Sequence, residues 1–160
     1  MRAVIRFALL ACLGLVLGGC AFTGGGREPS PLPPTGQGGV VDTARSQIGV
    51  PYRTAGQSPN TGFDCSGFVQ WVYARHGVRL PRRTDDQLHV GRPVSKTELR
   101  SGDLVFFMPS GRASSLHVGI FDGHGGFIHS PSSGGRVREE SLMAPYWRSS
   151  YYAANRVLSP

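Results

Sequence analysis

The chain has 160 residues, with 39% hydrophobic and 9% aromatic side chains and a formal net charge of +7 from 17 Lys+Arg against 10 Asp+Glu. With a signal and tether set aside, about 120 residues remain, enough for one domain with one core. The excess charge is nearly all arginine and is spread along the chain, without the basic stripe and interleaved aromatics of a nucleic-acid surface; no nucleic-acid partner is expected, and attraction to an anionic envelope polymer fits better.

Residues 1–20 carry Arg2 and Arg6, an apolar run from Phe7 to Leu17, and then Gly18-Gly19-Cys20. This is the layout of a secretory signal peptide, and the run is too short and Gly-interrupted for a comfortable membrane span. Small residues before a cysteine, with Leu17 three positions upstream, resemble the lipobox of bacterial lipoproteins. The resemblance implies that residues 1–19 are removed and that Cys20 is acylated, anchoring the chain to a membrane surface; a plain signal peptide cleaved nearby is the simpler alternative. Ala21 is not the aspartate associated with inner-membrane retention, so likeness to Gram-negative lipoproteins implies the outer membrane, facing the periplasm. Loss of Arg2 and Arg6 leaves 15 Lys+Arg against 10 Asp+Glu, a net +5. Residues 20–40, rich in Gly, Pro, Ser and Thr, read as a flexible tether. A single domain is expected over 41–160.

In that domain, Val41, Ala44 and Ile48 are at helical spacing, and Gly49 and Pro51 end the pattern. Tyr52 to Gly62 reads as loop. Phe68, Val69, Val72 and Tyr73, followed by Gly77, predict a helix starting at Cys65 with Asp64 as its N-cap. A shorter helix is expected over Thr84 to Val90. After Ser101-Gly102-Asp103 come short β-rich stretches at Leu104 to Met108, His117 to Phe121, Phe127 to His129, Val137, and Tyr151 to Val157. Helices first and strands afterwards indicate an α+β domain with N-terminal helices packed on an antiparallel sheet.

With Cys12 removed and Cys20 acylated, Cys65 is the one thiol left of the three in the sequence, so no disulfide framework is available. An odd cysteine in an oxidising compartment favours a chemical role. At a helix N-terminus, unpaired amides and the positive end of the macrodipole favour a thiolate and a developing oxyanion, so a lowered thiol pKa is expected. If the hairpin is symmetric about Gly123, His117 lies opposite His129 on one face of the sheet, one imidazole accepting the thiol proton and the other orienting it. A slip of one residue in register would separate them. A zinc site on Cys65, His117 and His129 is a rival without the close ligand pairs that seed such sites, so no metal or other cofactor is expected. His76, His89 and His124 read as structural or surface residues.

Gly49-Val50-Pro51-Tyr52, Gly62-Phe63-Asp64-Cys65-Ser66-Gly67-Phe68-Val69, Leu80-Pro81-Arg82, Ser101-Gly102-Asp103-Leu104-Val105-Phe106-Phe107, His117-Val118-Gly119-Ile120 and Phe127-Ile128-His129-Ser130-Pro131 together resemble the NlpC family of cell-wall cysteine peptidases. The resemblance runs from about Val41 to the C-terminus and implies a papain-like fold that hydrolyses peptide bonds in peptidoglycan stem peptides or cross-links. It makes Cys65 the nucleophile, His117 the base and His129 the orienting residue. Tyr52 matches a tyrosine that helps the oxyanion or binds substrate; without the resemblance it reads as a packing residue. Asp64 and Ser66 match positions that contact the substrate's amino end in some members, although Asp64 also suits a plain helix cap. Two other functions stay open on this scaffold: a non-catalytic wall-binding lipoprotein, and an acyl or amide transferase using the same triad.

Overall fold

The computed structural model describes residues 39–111, 116–133 and 135–158. The expected signal segment, Cys20 and almost all of the tether lie outside these residues. Val40, assigned to the tether from sequence, instead opens helix α1 (Val40–Arg45) and is buried with Val41 and Ala44. A two-stranded ribbon, β1 (Gln57–Ser58) with β2 (Gly62–Phe63), falls where the sequence indicated loop. It leads into helix α2 (Cys65–Ala74), and helix α3 (Thr84–Gln87) follows. Asp64 caps α2 by accepting the Gly67 amide at 2.7 Å.

The rest of the chain builds one antiparallel sheet in the order β3-β8-β4-β5-β6-β7. Its strands are β3 (Arg92–Pro93), β4 (Leu104–Phe107), β5 (His117–Phe121), β6 (Gly126–His129), β7 (Arg138–Ser141) and β8 (Tyr151–Arg156). The period-2 alternation of strands divides their side chains between two clusters. Leu104, Phe106, Val118, Ile120 and Ile128 pack with Phe68, Val69, Val72 and Tyr73 of α2. Val105, Phe107, Phe121 and Phe127 join Trp147 in the second cluster. Trp147 belongs to helix α4 (Pro145–Ser150), which the sequence reading passed over. Full burial of aromatics such as Phe68 and Phe127 contributes about 1.5–3 kcal/mol each.

Two polar devices set the ends of these elements. Arg156 on β8 makes a bidentate ion pair with buried Asp103 just before β4, at 2.7 and 2.8 Å, which explains the charged residue in Ser101-Gly102-Asp103. At the start of α2, a Cβ on Gly67 would come within 2.0 Å of the Gly56 carbonyl oxygen, so only glycine lets the preceding loop close over the helix mouth. The same oxygen accepts the Asp64 amide at 3.1 Å.

Candidate active site

The hairpin β5–β6 pairs Ile120 with Ile128 and Phe121 with Phe127. It is therefore centred on His124 rather than Gly123, and His129 falls opposite Gly119 instead of His117. Asp122 moves the turn: its Oδ1 accepts the amides of His124 and Gly126 at 2.7 and 2.9 Å, with Gly123 and Gly125 at φ of 91° and 93°. The register differs from the expected one by two positions, so the parity survives and both histidines stay on one face. They meet diagonally, with His117 Nε2 2.7 Å from His129 Nδ1.

Gly119 makes that diagonal possible. A Cβ there would stand 2.6 Å from Phe127 Cδ2 and 3.2 Å from His129 Cβ. The residue has a role that the sequence reading missed, although a glycine inside a β-rich stretch is itself a signal of close approach. Trp147 was missed as well: its ring stacks on His117 with centroids 5.5 Å apart and meets His129 edge-on at 5.0 Å. The proline at the first position of α4 was the available cue.

Cys65 and His117 line one cleft of about 360 Å³, together with Tyr52, Leu116, Ser130 and Trp147. His129 sits behind His117, with 0% exposure. The cleft forms where the N-terminus of α2 meets the start of β5, and the Val118 amide is directed at the Cys65 sulfur. Thr84 Oγ1 lies 3.5 Å from Cys65 Sγ.

The electrostatics correct the expectation of a lowered thiol pKa. Burial pushes the Cys65 thiol up, outweighing the Thr84 hydroxyl and the Val118 and Ser66 amides that favour the thiolate; the Asp64 charge raises it further. Burial also lowers His117 to about 4, and burial with the nearby His117 and Arg138 lowers His129 to about 2. At neutral pH the resting site therefore holds a neutral thiol and neutral imidazoles. Burial thus favours the neutral forms of this thiol and of both rings, and a neutral His117 can accept a proton.

Asp64 and Ser66 do not line the cleft. Arg82 holds both, with Nη2 at 2.5 Å from Asp64 Oδ2 and Nη1 at 2.8 Å from Ser66 Oγ. The structure thus places the Asp64 carboxylate in a helix cap neutralised by Arg82. His76 bonds Thr43 at 2.8 Å, while His89 is exposed and His124 lies in the β5–β6 turn.

The NlpC/P60 family profile matches residues 49–156. The chain is 44% identical over 124 residues to the murein DD-endopeptidase MepH of Escherichia coli, covering 76% of this chain and 46% of that protein. Against the probable endopeptidase NlpC of the same organism it is 36% identical over 159 residues, covering 96% and 100%. The chain thus spans about half of one relative and all of the other. The crystal structure of an NlpC/P60 family protein from Bacillus cereus superposes with a TM-score of 0.70 at 37% identity, over 75% of this chain and 39% of that one. The match from Gly49 through Arg156 takes in the cleft and both strands that carry its histidines, and the chain belongs to the NlpC/P60 family.

Proposed function

We propose that the protein is a peptidoglycan endopeptidase that cleaves stem-peptide or cross-link amide bonds through Cys65. The observation that carries this reading is the shared cleft of Cys65 and His117, with His117 held from behind by His129 at 2.7 Å. The names of MepH and NlpC as endopeptidases support the substrate class.

His117 Nδ1 takes the Cys65 proton as the sulfur attacks the amide carbonyl, forming the C–S bond. Amides at the first turn of α2 receive the oxyanion, which the positive end of the helix also stabilises. The His117 imidazolium then gives its proton to the departing amine as the C–N bond breaks. Water, with His117 again as base, hydrolyses the thioester and regenerates the thiol. Tyr52 on the cleft wall and Tyr146, 59% exposed at its rim, are positioned to contact the stem peptide.

Purified sacculi digested by the native protein should release fragments whose summed mass exceeds the parent's by one water per cut bond, and Cys65→Ala should release none. Fragments carrying an acceptor other than water would mark a transferase, and undiminished release by Cys65→Ala would end the thiol mechanism. The protein acts at the cell envelope, anchored through acylated Cys20 to the outer membrane with the domain in the periplasm. Radiolabelled palmitate should enter the native chain and not Cys20→Ala, and the label should follow outer-membrane fractions.

A further inference from the structure

His129 Nε2 is buried and has no hydrogen-bond partner among the described residues. It faces the Glu140 carboxylate on β7, whose Oε1 lies 3.8 Å away. Strand pairing puts Arg138 opposite His129 and Glu140 opposite Phe127, so Glu140 is the diagonal neighbour of His129 on the same face. Glu140 is itself held in place: Oε2 accepts the Trp147 indole N–H and Oε1 accepts from Arg138 Nε. His129 is thus surrounded by Glu140 and Arg138 from β7, His117 from β5 and the Trp147 ring from α4.

The tautomers follow from this geometry once His117 is taken as the base of the proposed peptidase, a reading on which the inference rests. His117 Nε2 is engaged with His129, so Nδ1 is the nitrogen left for the thiol proton. Nδ1 has a free lone pair only if the neutral ring carries its proton on Nε2. That proton points at His129 Nδ1, which must then be bare, and neutral His129 carries its own proton on Nε2. An N–H buried there without an acceptor costs about 1–3 kcal/mol. In the opposite arrangement His129 Nδ1–H would donate to His117 Nε2, His117 Nδ1 would be protonated, and the base would be lost. His129 Nε2 would then turn a lone pair toward a carboxylate, which electrostatics disfavours.

We propose that Glu140 is a positioning residue of the peptidase site: its carboxylate accepts the Nε2 proton of His129 and so holds both histidines in the tautomer that offers His117 Nδ1 to Cys65. Oε1, 3.8 Å from Nε2, comes to hydrogen-bond length on an approach of about 1 Å, with the Arg138 and Trp147 contacts keeping the carboxylate turned toward the ring. During attack the S–H bond breaks and the proton forms an N–H bond at His117 Nδ1. The imidazolium keeps its Nε2 proton directed at His129, whose own proton stays on Nε2, and the Glu140 charge stabilises the positive pair from behind.

Long-range nitrogen–proton NMR spectra of histidine-labelled protein near pH 7 read the tautomers directly and need no substrate. Native protein should show His117 and His129 both protonated at Nε2. Glu140→Leu should shift His129 to Nδ1–H and lower kcat by about 10²-fold or more, as other wrong-tautomer variants do, with KM little changed. Glu140→Gln, whose amide oxygen still accepts, should retain the native tautomer and most of kcat. Trp147→Phe keeps a ring over the histidines while freeing Oε2, and should leave the tautomers unchanged. His129 protonated at Nδ1 in the native protein would overturn the proposal without any variant having to fold. So would a Glu140→Leu protein with native tautomers and native kcat. An inactive native protein with the expected tautomers would instead refute the peptidase reading and leave only the Glu140–His129 tautomer contact standing.

Discussion

Gly119→Ala is the smallest change that tests how the two histidines are brought together. The backbone at Gly119 does not occupy the left-handed region, so alanine meets no dihedral penalty and the effect comes from contacts alone. The new methyl would stand 2.6 Å from Phe127 Cδ2, 3.0 Å from the Ile128 carbonyl oxygen and 3.2 Å from His129 Cβ. Carbon atoms prefer about 3.5–4.0 Å, so the Phe127 edge must retreat by about 1 Å and His129 by a few tenths of an ångström. Phe127 has little room to do so, since its ring lies 4.6 Å from Phe107 and 5.2 Å from Trp147, centroid to centroid. Overpacking of this kind costs about 1–3 kcal/mol, which for a domain of this size lowers Tm by roughly 5–15 °C. Displacing His129 by a few tenths of an ångström disturbs the orientation of His117, and turnover should fall several-fold, short of the roughly 10²-fold that a misplacement of about 1 Å costs. Urea denaturation measures the first quantity and release of muropeptides from sacculi the second. A Gly119→Ala protein with native Tm and activity within twofold of native would refute the close-approach account of the pair.

The site also predicts how the protein responds to pH and to loss of charge. His117 ionises at about 4 in the folded protein against about 6.5 when unfolded, so the unfolded chain binds more protons between those values and stability falls as pH drops from about 6.5 toward 4. The shift corresponds to about 2–3 kcal/mol after allowance for the edge of the ring that faces the cleft; urea melts at the two pH values should show a loss that His117→Asn reduces, and equal pH dependence in both proteins would exclude it. Because burial holds the Cys65 thiol above its ordinary range, thiolate absorbance at about 240 nm should be missing at neutral pH and rise only in the alkaline range. A thiolate signal that persists to about pH 5 would restore the ion-pair picture. Arg82→Ala leaves the Asp64 charge uncompensated beside the thiol: alkylation of Cys65 should slow, and stability should fall by about 1–3 kcal/mol with the loss of a part-buried charged pair. Faster alkylation in that variant would show that Asp64 does not act on the thiol as inferred.

Much of the fold was legible because its signals are local. The α2 boundary was carried by Asp64 and the apolar spacing through Tyr73, and β5 by a β-rich run from His117 to Phe121 followed by turn residues. The failures share a different cause. β3 has two residues and α4 six, too few for periodicity to register, and α4 exists because Trp147 fills the space over Phe107, His117 and Phe127. The thiol was misjudged because the helix terminus is visible in sequence and burial is not. Arg82 stood inside a recognised motif, yet its pairing with Asp64, 18 positions away in sequence, depends on how the loop after α2 folds back.

The hairpin register shows why a partly wrong pairing still put His117 and His129 on one face. Centring the turn on Gly123 ignored the Asp122 side chain, which captures two amides and moves the centre to His124. Moving the centre of a hairpin by one residue shifts every cross-strand partner by two, and a shift of two preserves the face. Facing is thus a robust inference from sequence, whereas direct opposition is not. What converts a shared face into a 2.7 Å hydrogen bond is the missing side chain at Gly119, which lets His129 lean across the diagonal. Glu140 stands one strand further along the same diagonal, and the sequence could not have joined it to His129 without the β6–β7 register. The Glu140–His129 and His129–His117 steps therefore rest on strand parity plus one close approach, whereas Cys65 reaches the pair from the start of α2, so the candidate set is built across elements rather than along any one of them.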